Sequence, residues 1–270
     1  MIRVLIITTG YSSFVSDLNA CNQLYIVGIL NCRPSDELKQ YAGKRDIPYK
    51  ELKSQDSELF NWIKSKEPEV IAIFKMPFLL KKEIYSLPKY GSLNLHPSLL
   101  PNYRGPNPWF WIYYNMETES GVTIHALNEK EDAGEILLQE KFRIPLGAKL
   151  EDLKKEAVCT GTKLMIKALC NIKNRSSIPQ PTNSPTVRAE NIRDYQGLID
   201  WENWSVKRIW HLLHGFPEIL QTNESYLSLH QYLTPFDYSI KRNNSPAGQF
   251  VFTGYYMLNC IDGMILFHLK

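Results

Sequence analysis

Continuous apolar runs alternate with amphipathic stretches along the first half of the chain. Residues 2–9 (IRVLIITT), 24–30 (LYIVGIL) and 70–74 (VIAIF) are rich in β-branched side chains and bounded by turn residues, and 91–96 (GSLNLH) is a fourth such run. Runs of this kind are typical of strands that are buried on both faces of a parallel sheet. The pattern therefore predicts an α/β fold with a doubly wound, Rossmann-like and mostly parallel sheet.

Polar residues suited to helix capping precede the amphipathic stretches between these runs. Ser35 can accept a hydrogen bond at the start of one helix, and Asp56 or Ser57 can do so for the next helix. Further along, the periodicity predicts helices at 109–115 and 149–172. It predicts strands at 121–127 and 135–144. Helices between and after the strands are what a doubly wound sheet requires.

A stretch rich in Ser, Pro and Asn divides the chain. We therefore expect a large α/β domain over 1–175, a linker over 176–190 and a small C-terminal domain over 191–270. The small domain is predicted to contain a helix followed by a β-hairpin or meander. Because its final strands, 250–269, would leave an apolar edge if alone, we expect this domain to form a homodimer or to contact substrate.

Composition and charge exclude several classes of protein. The chain has 270 residues, of which 44% are hydrophobic and 22% charged, and its net charge is +3. That charge is too small to predict a nucleic-acid partner, and no apolar run reaches the roughly 20 residues that span a membrane. The five cysteines are widely spaced without a CxxC pair, which favours a cytoplasmic protein without disulfides. We expect no metal, since His211 and His214 have no carboxylate or thiol ligands beside them.

The segment 91–108 (GSLNLHPSLLPNYRGPNP) holds the most informative polar residues. Asn94 and His96 are two apart on a predicted strand, so their side chains point to the same side of the sheet, near the carboxyl edge where ligands bind. An amide and an imidazole at that edge can polarise a carbonyl oxygen and move a proton. Taken alone, the same histidine also fits a purely structural hydrogen bond.

Asp132 lies in the acidic stretch NEKEDAGE and has two interpretations. It can be part of a solvated surface turn, as small acidic clusters usually are. Alternatively, its carboxylate can lie near His96, where it would orient the imidazole and raise its basicity. Spacing along the chain does not choose between these interpretations.

Taken together, these segments resemble the folate-dependent formyltransferases. The resemblance is carried by NLHPSLLPNYRG at 94–105, GVTI at 121–124 and DAGEIL at 132–137. It runs continuously from about residue 68 to 145, and more weakly to the first strands and to GLIDW at 197–201. The resemblance implies that the fold is the α/β catalytic domain of this family.

The resemblance also implies acyl transfer from N10-formyltetrahydrofolate to an uncharged primary amine, with Asn94, His96 and Asp132 as the catalytic residues. Asn94 and protonated His96 would stabilise the oxyanion, His96 would shuttle the proton, and Asp132 would hold the imidazole. The residues that it implies for the formyl donor are Met76, Pro77, Phe78, Leu79, Leu127 and Glu131. Those expected to bind the acceptor are Lys75, Ser12, Tyr103, Arg104, Trp109 and Tyr195. Lys75 could pair with a diphosphate or be a solvated surface lysine, and Trp109 fits the core equally well.

Within this family, the chain most resembles the sugar N-formyltransferases, which act on nucleotide-linked amino sugars. The loop after the first strand, TTGYSSF, has one glycine, unlike the Gly- and Ser-rich phosphate loop usual in enzymes that formylate glycinamide ribonucleotide. From 171 to 270 there are nine Lys/Arg and eight Asp/Glu, a net charge of +1, which argues against a tRNA partner.

We therefore expect an acceptor such as dTDP-linked 4-amino-4,6-dideoxyglucose, made for bacterial surface polysaccharide. The alternatives are methionyl-tRNA or glycinamide ribonucleotide as acceptor, a formyltetrahydrofolate hydrolase, and a non-catalytic binding relative. A hydrolase would release formate without any amine.

Overall fold

Two β-sheets with their helices make up the computed structural model, which describes residues 1–181, 186–193, 197–222, 233–241, 245–252 and 255–269. The strands of the larger sheet are β1 (Ile2–Thr8), β2 (Leu24–Asn31), β3 (Tyr49–Glu51), β4 (Val70–Phe74), β5 (Ser92–His96), β6 (Glu119–Ala126) and β7 (Ile136–Arg143). The helices in this part of the chain are α1 (Ser13–Ala20), α2 (Asp36–Gly43), α3 (Ser57–Ser65), α4 (Lys82–Tyr85), α5 (Pro108–Tyr114) and α6 (Leu150–Cys170), followed by a 3-10 turn (Ile172–Asn174).

The larger sheet has the strand order β3-β2-β1-β4-β5-β6-β7. The strands from β3 to β5 pair in parallel, and β6 is antiparallel to β5. The direction of winding reverses between β1 and β4, and ligands of open α/β sheets bind at such a switch point. The predicted doubly wound, mostly parallel sheet is thus confirmed.

Helices cover both faces of this sheet, which explains why its central strands are apolar at consecutive positions. Ile6 and Ile7, on opposite faces of β1, are both fully buried. On one face, the side chains of β1 and β4 pack with those of α3 and α4. On the other face, Phe14 of α1 lies 5.3 Å from Phe74 in β4, centroid to centroid.

The predicted helix caps are present. Ser35 Oγ accepts a hydrogen bond from the N–H of Leu38 at the start of α2. Asp56, rather than Ser57, caps α3, and its carboxylate accepts from the N–H of Leu59. The short elements β3 and α4 were not predicted, because a three-residue edge strand and a single helical turn leave no periodic pattern in the sequence.

The chain forms two compact units that interleave along the sequence. The first comprises Met1–Pro108, Ser120–Phe142 and Lys155–Ala189, and the second comprises Trp109–Glu119, Arg143–Lys154 and Glu190–Lys270. The described part of the predicted linker therefore belongs almost entirely to the first unit. Among the helices of the described residues, none has the length and apolar character needed to cross a membrane.

The second unit contains α7 (Val206–Gly215), a 3-10 helix (Pro217–Thr222) and the smaller sheet, which consists of β8 (Leu233–Ser239), β9 (Phe250–Phe252), β10 (Tyr256–Cys260) and β11 (Gly263–Leu269). Its strand order is β8-β11-β10-β9, and its pairs are antiparallel. The last three strands form the predicted meander, and β8 adds to the free side of β11.

His211 of α7 is a buried structural residue in this unit. Its Nδ1 accepts a hydrogen bond from the N–H of Gly147 across 3.0 Å, and its ring stacks on Tyr113 at a centroid distance of 4.7 Å. Burial, assisted by the nearby His214, lowers the pKa of His211 to about 4. The imidazole is therefore neutral at neutral pH.

Candidate active site

The end of β5 brings Asn94 and His96 to one side of the sheet, as their spacing predicts. In the antiparallel pairing with β6, His125 lies directly opposite Asn94. Directly opposite residues project from the same face of a sheet. One amide and two imidazoles consequently share this face, with the ring centres of His96 and His125 6.4 Å apart.

Asp132 lies between these side chains. One carboxylate oxygen, Oδ2, is 3.4 Å from His96 Nδ1, and the other, Oδ1, is 3.4 Å from His125 Nε2. Asn94 Nδ2 donates to Oδ1 across 3.4 Å, and the backbone N–H of Gly105 donates to Oδ2 across 3.0 Å. The structure thus brings together Asn94, His96 and Asp132, and the Asp132 side chain is only 14% exposed.

Carbonyl partners fix which nitrogens of the two imidazoles carry hydrogen. His125 Nδ1 lies 2.9 Å from the Ala126 carbonyl oxygen, so it donates, and Nε2 accepts from Asn94 Nδ2 across 3.1 Å. His96 Nε2 lies 2.8 Å from the Tyr103 carbonyl oxygen and donates to it. In the neutral His96 ring, Nδ1 is therefore the nitrogen that can gain a proton.

The charges of the site follow from its partial burial. Burial alone would raise the pKa of Asp132, but the imidazoles of His96 and His125 and the N–H of Gly105 outweigh that effect and hold this pKa well below its usual range. Burial lowers the pKa of His96, and the charge of Asp132 opposes this only in part. At neutral pH the site therefore holds an ionised carboxylate beside a neutral imidazole that can accept a proton.

The loop after β5 is held in place from β6 and β7. Thr123 Oγ1 donates to the Ser98 carbonyl across 2.7 Å and accepts from the N–H of Leu100 across 3.2 Å. Gln139 donates to the Leu100 carbonyl across 2.7 Å. This bracing fixes the loop that supplies backbone groups to His96 and Asp132.

Tyr103 and Gly105 occupy the left-handed region of backbone conformation in this loop, with φ angles of 61° and 119°. Tyr103, expected to bind substrate, reaches the site through its carbonyl group, and its side chain is only 6% exposed. A Cβ atom at Gly105 would lie 2.7 Å from the carbonyl oxygen of Ala189. The position therefore requires glycine.

The predicted linker at 176–190 lies against the loops of the site. We call residues 177–181 and 186–189 the strap; residues 182–185 lie outside the described part of the chain. Since neither stretch has a periodic apolar pattern, the sequence did not predict these contacts.

Backbone hydrogen bonds join the strap to both loops. Ile178 and Ile136, at the start of β7, exchange two hydrogen bonds of 2.8 and 2.9 Å. The N–H of Ala189 donates to the Arg104 carbonyl across 2.8 Å. The loop before β7 and the loop after β5 are thus tied to one segment.

Arg104, expected to bind the acceptor, is engaged with the strap. Its Nε and Nη2 donate to Oε1 of Gln180 across 2.9 and 2.6 Å. Burial lowers the pKa of Arg104, as does the neighbouring charge of Arg188. The structure thus places Arg104 near Asp132, with two of its donors occupied by Gln180.

The residues expected to bind the formyl donor lie on two loops. After β4, Phe78 and Leu79 are 37% and 59% exposed, Pro77 is exposed, and Met76 packs against the core. The side chain of Gln55 donates to the Leu79 carbonyl across 2.8 Å and so fixes this loop. The loop offers apolar side chains at the carboxyl edge of the sheet.

The second of these loops follows β6. Leu127 packs against the core beneath it, and its N–H donates to the Ser92 carbonyl across 2.9 Å. The carboxylate of Glu131 pairs with Arg188 of the strap across 2.7 Å. Glu131 is therefore occupied by an ion pair on the side of the site formed by the strap.

Ser12 and Lys75 lie at the switch point between β1 and β4. Ser12 is the N-cap residue of α1, but its hydroxyl makes no capping hydrogen bond and, within the described structure, the buried Oγ has no partner. Lys75 is exposed and follows β4 at a φ angle of 59°. Its carbonyl accepts from Thr9 Oγ1 across 2.6 Å, which joins the loops after the two strands.

The structure does not test two further residues that were expected to bind the acceptor. Trp109 is half-buried at the start of α5 and belongs to the second unit. Tyr195 lies outside the described residues. Their roles stay predictions.

Sequence reasoning missed His125 and Gln180. His125 lies next to the recognised GVTI motif, but its position opposite Asn94 depends on the register between β5 and β6, which periodicity does not reveal. Gln180 lies in the stretch assigned to a linker. Over the described residues, no group of three His, Cys, Asp or Glu side chains is arranged to hold a metal ion.

Comparisons with known proteins give a consistent family match. The model of the formyl transferase family matches residues 5–169, more than half of the chain. The methionyl-tRNA formyltransferase of Thermodesulfovibrio yellowstonii is 32% identical over 180 residues, which cover 66% of this chain and 58% of that protein. The chain spans about half the length of the curated relatives it matches.

Solved structures with the same fold match the chain over its full length. The N-formyltransferase from Helicobacter canadensis, in complex with folinic acid and dTDP-3-aminofucose, has a TM-score of 0.70 at 18% identity, with 100% of both chains covered. WlaRD, a sugar 3N-formyl transferase solved with dTDP and 5-N-formyl-THF, has a TM-score of 0.68 at 17% identity, with 100% of this chain and 98% of that one covered. At these identities the likeness shows a shared fold.

Proposed function

The chain belongs to the formyl transferase family, and on that premise we propose that it transfers a formyl group from N10-formyltetrahydrofolate to a primary amine. The observation that carries the proposal is the cluster of Asn94, His96 and Asp132, whose side chains meet within 3.4 Å of the Asp132 carboxylate. An ionised carboxylate, a neutral imidazole and an amide are the groups that acyl transfer to an amine needs.

His96 would handle the proton of the attacking amine. As the amine nitrogen bonds to the formyl carbon, the carbonyl electron pair moves to the oxygen, and Nδ1 of His96 takes the proton that the amine loses. The resulting imidazolium lies between the Asp132 carboxylate and the Tyr103 carbonyl, which both stabilise its charge. The proton then passes to the leaving nitrogen of the folate as its bond to the formyl carbon breaks.

Asn94 would stabilise the negative oxygen formed in this step. Its NH₂ group faces His125 and Asp132, and the contact with Asp132 is the longer of the two, at 3.4 Å. We infer that the formyl oxygen takes the place of this weak contact while His125 keeps the amide oriented. A single donor of this kind contributes about 3–4 kcal/mol to such reactions.

The donor loops suit an amphipathic ring such as the pterin of a folate. Phe78 and Leu79 present exposed apolar side chains after β4. Leu127 and Glu131 lie on the second loop, which leads from β6 to Asp132. Apolar walls with a few fixed polar groups are typical of small-molecule sites.

For the acceptor, we propose a nucleotide-linked amino sugar, with dTDP-linked 4-amino-4,6-dideoxyglucose as the favoured type. The full-length match in fold to an N-formyltransferase solved with dTDP-3-aminofucose and to a sugar 3N-formyl transferase supports an amino sugar acceptor, but not the 4-position of its amine. The Ser12 hydroxyl at the N-terminus of α1, which has no hydrogen-bond partner among the described residues, and the cationic Lys75 after β4 suit a diphosphate. Such a product would serve surface polysaccharide synthesis in a bacterial cytoplasm.

Methionyl-tRNA is the second candidate acceptor. Relatives with that name share 31–36% identity with the chain, although the matches cover only 41–58% of their length. The net charge of +1 over 171–270 weighs against this acceptor, because neutralising phosphates supplies much of the affinity for nucleic acid.

Release of tetrahydrofolate from N10-formyltetrahydrofolate, measured with a panel of amines, tests the proposed reaction. The panel holds dTDP-, UDP- and GDP-linked 3-amino and 4-amino dideoxyhexoses, glycinamide ribonucleotide and methionyl-tRNA. We expect release to depend on one amino sugar and to be lost in His96→Ala. Formate release without any amine would instead identify a hydrolase, and no release with any amine would contradict formyl transfer.

A further inference from the structure

Gln180 lies where the strap crosses between the two loops of the candidate site, and its carboxamide uses its full hydrogen-bonding capacity there. Nε2 donates to the carbonyl oxygens of Asp132 and Gly134 across 2.9 and 2.6 Å. Oε1 accepts both hydrogen bonds from Arg104. Two donors and two acceptor sites are all that a carboxamide has, and each is matched here.

The residues that Gln180 binds flank Asp132: two belong to the loop that contains Asp132, and Arg104 belongs to the loop that binds its carboxylate. Asp132 has a φ angle of 47°, a left-handed conformation that costs a non-glycine residue free energy and persists only where its surroundings impose it. Gln180 holds the carbonyl of this residue and that of Gly134 after it. Arg104, held by the other end of the same amide, directly precedes Gly105, whose N–H binds Asp132 Oδ2.

The amide therefore closes a ring of contacts that runs from the Asp132 carbonyl through Gln180 and Arg104 to Gly105 and back to the Asp132 carboxylate. Gln180 is 7% exposed, so water does not readily replace these hydrogen bonds. Its neighbour in the strap, Ile178, is anchored by two backbone hydrogen bonds to Ile136. The strap thus has a fixed position from which to hold the loop.

We propose that Gln180 is a positioning residue for the formyl transfer site, which fixes the distance between the Asp132 carboxylate and His96 from a segment outside the family motifs. The inference extends the proposed function, since Asp132 acts on His96 there, but the geometry that it concerns exists without any substrate. A displacement of the order of 1 Å at such a site can lower the rate about 100-fold.

Two substitutions separate the hydrogen bonds that Gln180 donates to the Asp132 and Gly134 carbonyls from those that it accepts from Arg104. Gln180→Leu removes all four hydrogen bonds with a side chain of similar size. Gln180→Glu keeps an acceptor for Arg104 but turns a carboxylate oxygen towards the Asp132 and Gly134 carbonyls. The second variant keeps the strap bonded to Arg104, so it serves if the leucine variant does not fold. Ser177→Ala is the matched control, because it removes a different strap hydrogen bond, the one to Glu135.

The measurements are kcat and KM for formyl transfer and an NMR titration of the His96 ring in full-length protein, assigned by comparison with His96→Gln. We expect kcat to fall about 10- to 100-fold in both Gln180 variants with KM within about twofold. The His96 titration should move to lower pH, because the Asp132 charge that raises its pKa moves away. Ser177→Ala should change neither quantity.

A fall in thermal stability alone, with the His96 titration and kcat unchanged, would overturn the proposal and leave the strap a purely structural segment. The same holds if Ser177→Ala shifts the titration as much as the Gln180 variants do. Should the parent protein transfer no formyl group, the proposed function fails, yet the titration still decides whether Gln180 positions Asp132.

Discussion

At the scale of single residues, the site depends on one carboxylate that serves three partners. Asp132 contacts His96, Asn94 and the N–H of Gly105, and His125 approaches from the opposite strand. Its ionised state suits the first three contacts, since Asn94 and Gly105 present donors and the His96 ring becomes positive when it takes up a proton. The charge of Asp132, more than its shape, should therefore control the chemistry.

Asp132→Asn tests this directly, because it keeps the size of the side chain and removes the charge. We expect kcat to fall at least about 100-fold, since the carboxamide neither stabilises the His96 imidazolium nor accepts from Asn94 with the same strength. Binding of 5-formyltetrahydrofolate, followed by calorimetry, should be retained. Glu140→Gln, an exposed change on β7, is the matched control, and a kcat within threefold of the parent for Asp132→Asn would contradict the role.

The pH dependence of kcat/KM follows from the direction of the His96 pKa. Burial lowers this pKa below 6.5, so the neutral ring, which takes up the proton of the amine, persists to a lower pH than an exposed histidine would allow. The acid limb due to His96 should thus lie below pH 6.5, and in Asp132→Asn it should move lower still. A limb that moves to higher pH in that variant would refute the assignment.

Sequence patterns predicted Asn94 and His96 well because both lie on one strand, where a spacing of two fixes the face. Asp132 was assigned to the site only through the family resemblance, because its position depends on a residue in the left-handed conformation, which no periodic pattern predicts. The position of His125 in the site depends on the register between two strands. The position of Gln180 depends on the path of a segment without regular structure. Local patterns do not determine such long-range placements.

At the scale of elements, the loops of the site are stabilised by close backbone contacts. Gly105 packs on the strap so closely that an added Cβ atom would lie 2.7 Å from the Ala189 carbonyl oxygen, and its φ angle is 119°. Both features exclude a side chain at this position. The strap thus supports the site as much as strand β5 does.

Gly105→Ala should push the loop away from the strap and displace the N–H that binds Asp132. We expect a loss of stability of about 1–3 kcal/mol together with a lower kcat. Thermal unfolding and kcat measured side by side test this, with Gly43→Ala as control, because a Cβ atom there meets nothing within 4 Å. An unchanged melting temperature and rate in Gly105→Ala would show that the contact is unimportant.

In the second unit, α7 should make folding stability depend on pH. The pKa of His211 is about 4 in the folded chain, below its ordinary value of 6.5, so the unfolded chain binds more protons between these values. Stability should fall by about 2–3 kcal/mol as pH drops from 6.5 towards 4. Urea unfolding at several pH values should show a weaker dependence in His211→Gln, and equal dependence in both proteins would contradict this account.

At the scale of the whole molecule, the two units interleave along the sequence, so a division of the chain into consecutive domains does not describe it. The predicted sheet and terminal meander are present because both leave strong local patterns. The composition of the units does not follow from such patterns, since the second unit takes α5 from the middle of the chain. The expected homodimer stays a prediction, and exposed Phe252 and Tyr255 near the final strands are candidates for its interface.

At this scale, the identity of the acceptor decides what the whole molecule does. The most direct test is to measure kcat/KM for dTDP-linked 4-amino-4,6-dideoxyglucose and for methionyl-tRNA with the same enzyme and N10-formyltetrahydrofolate. We expect the value for the sugar to exceed that for the tRNA by at least about 1,000-fold, because a site built for a diphosphate and a sugar amine leaves its polar groups unpaired with the wrong acceptor. Equal values, or a preference for the tRNA, would contradict the proposed acceptor.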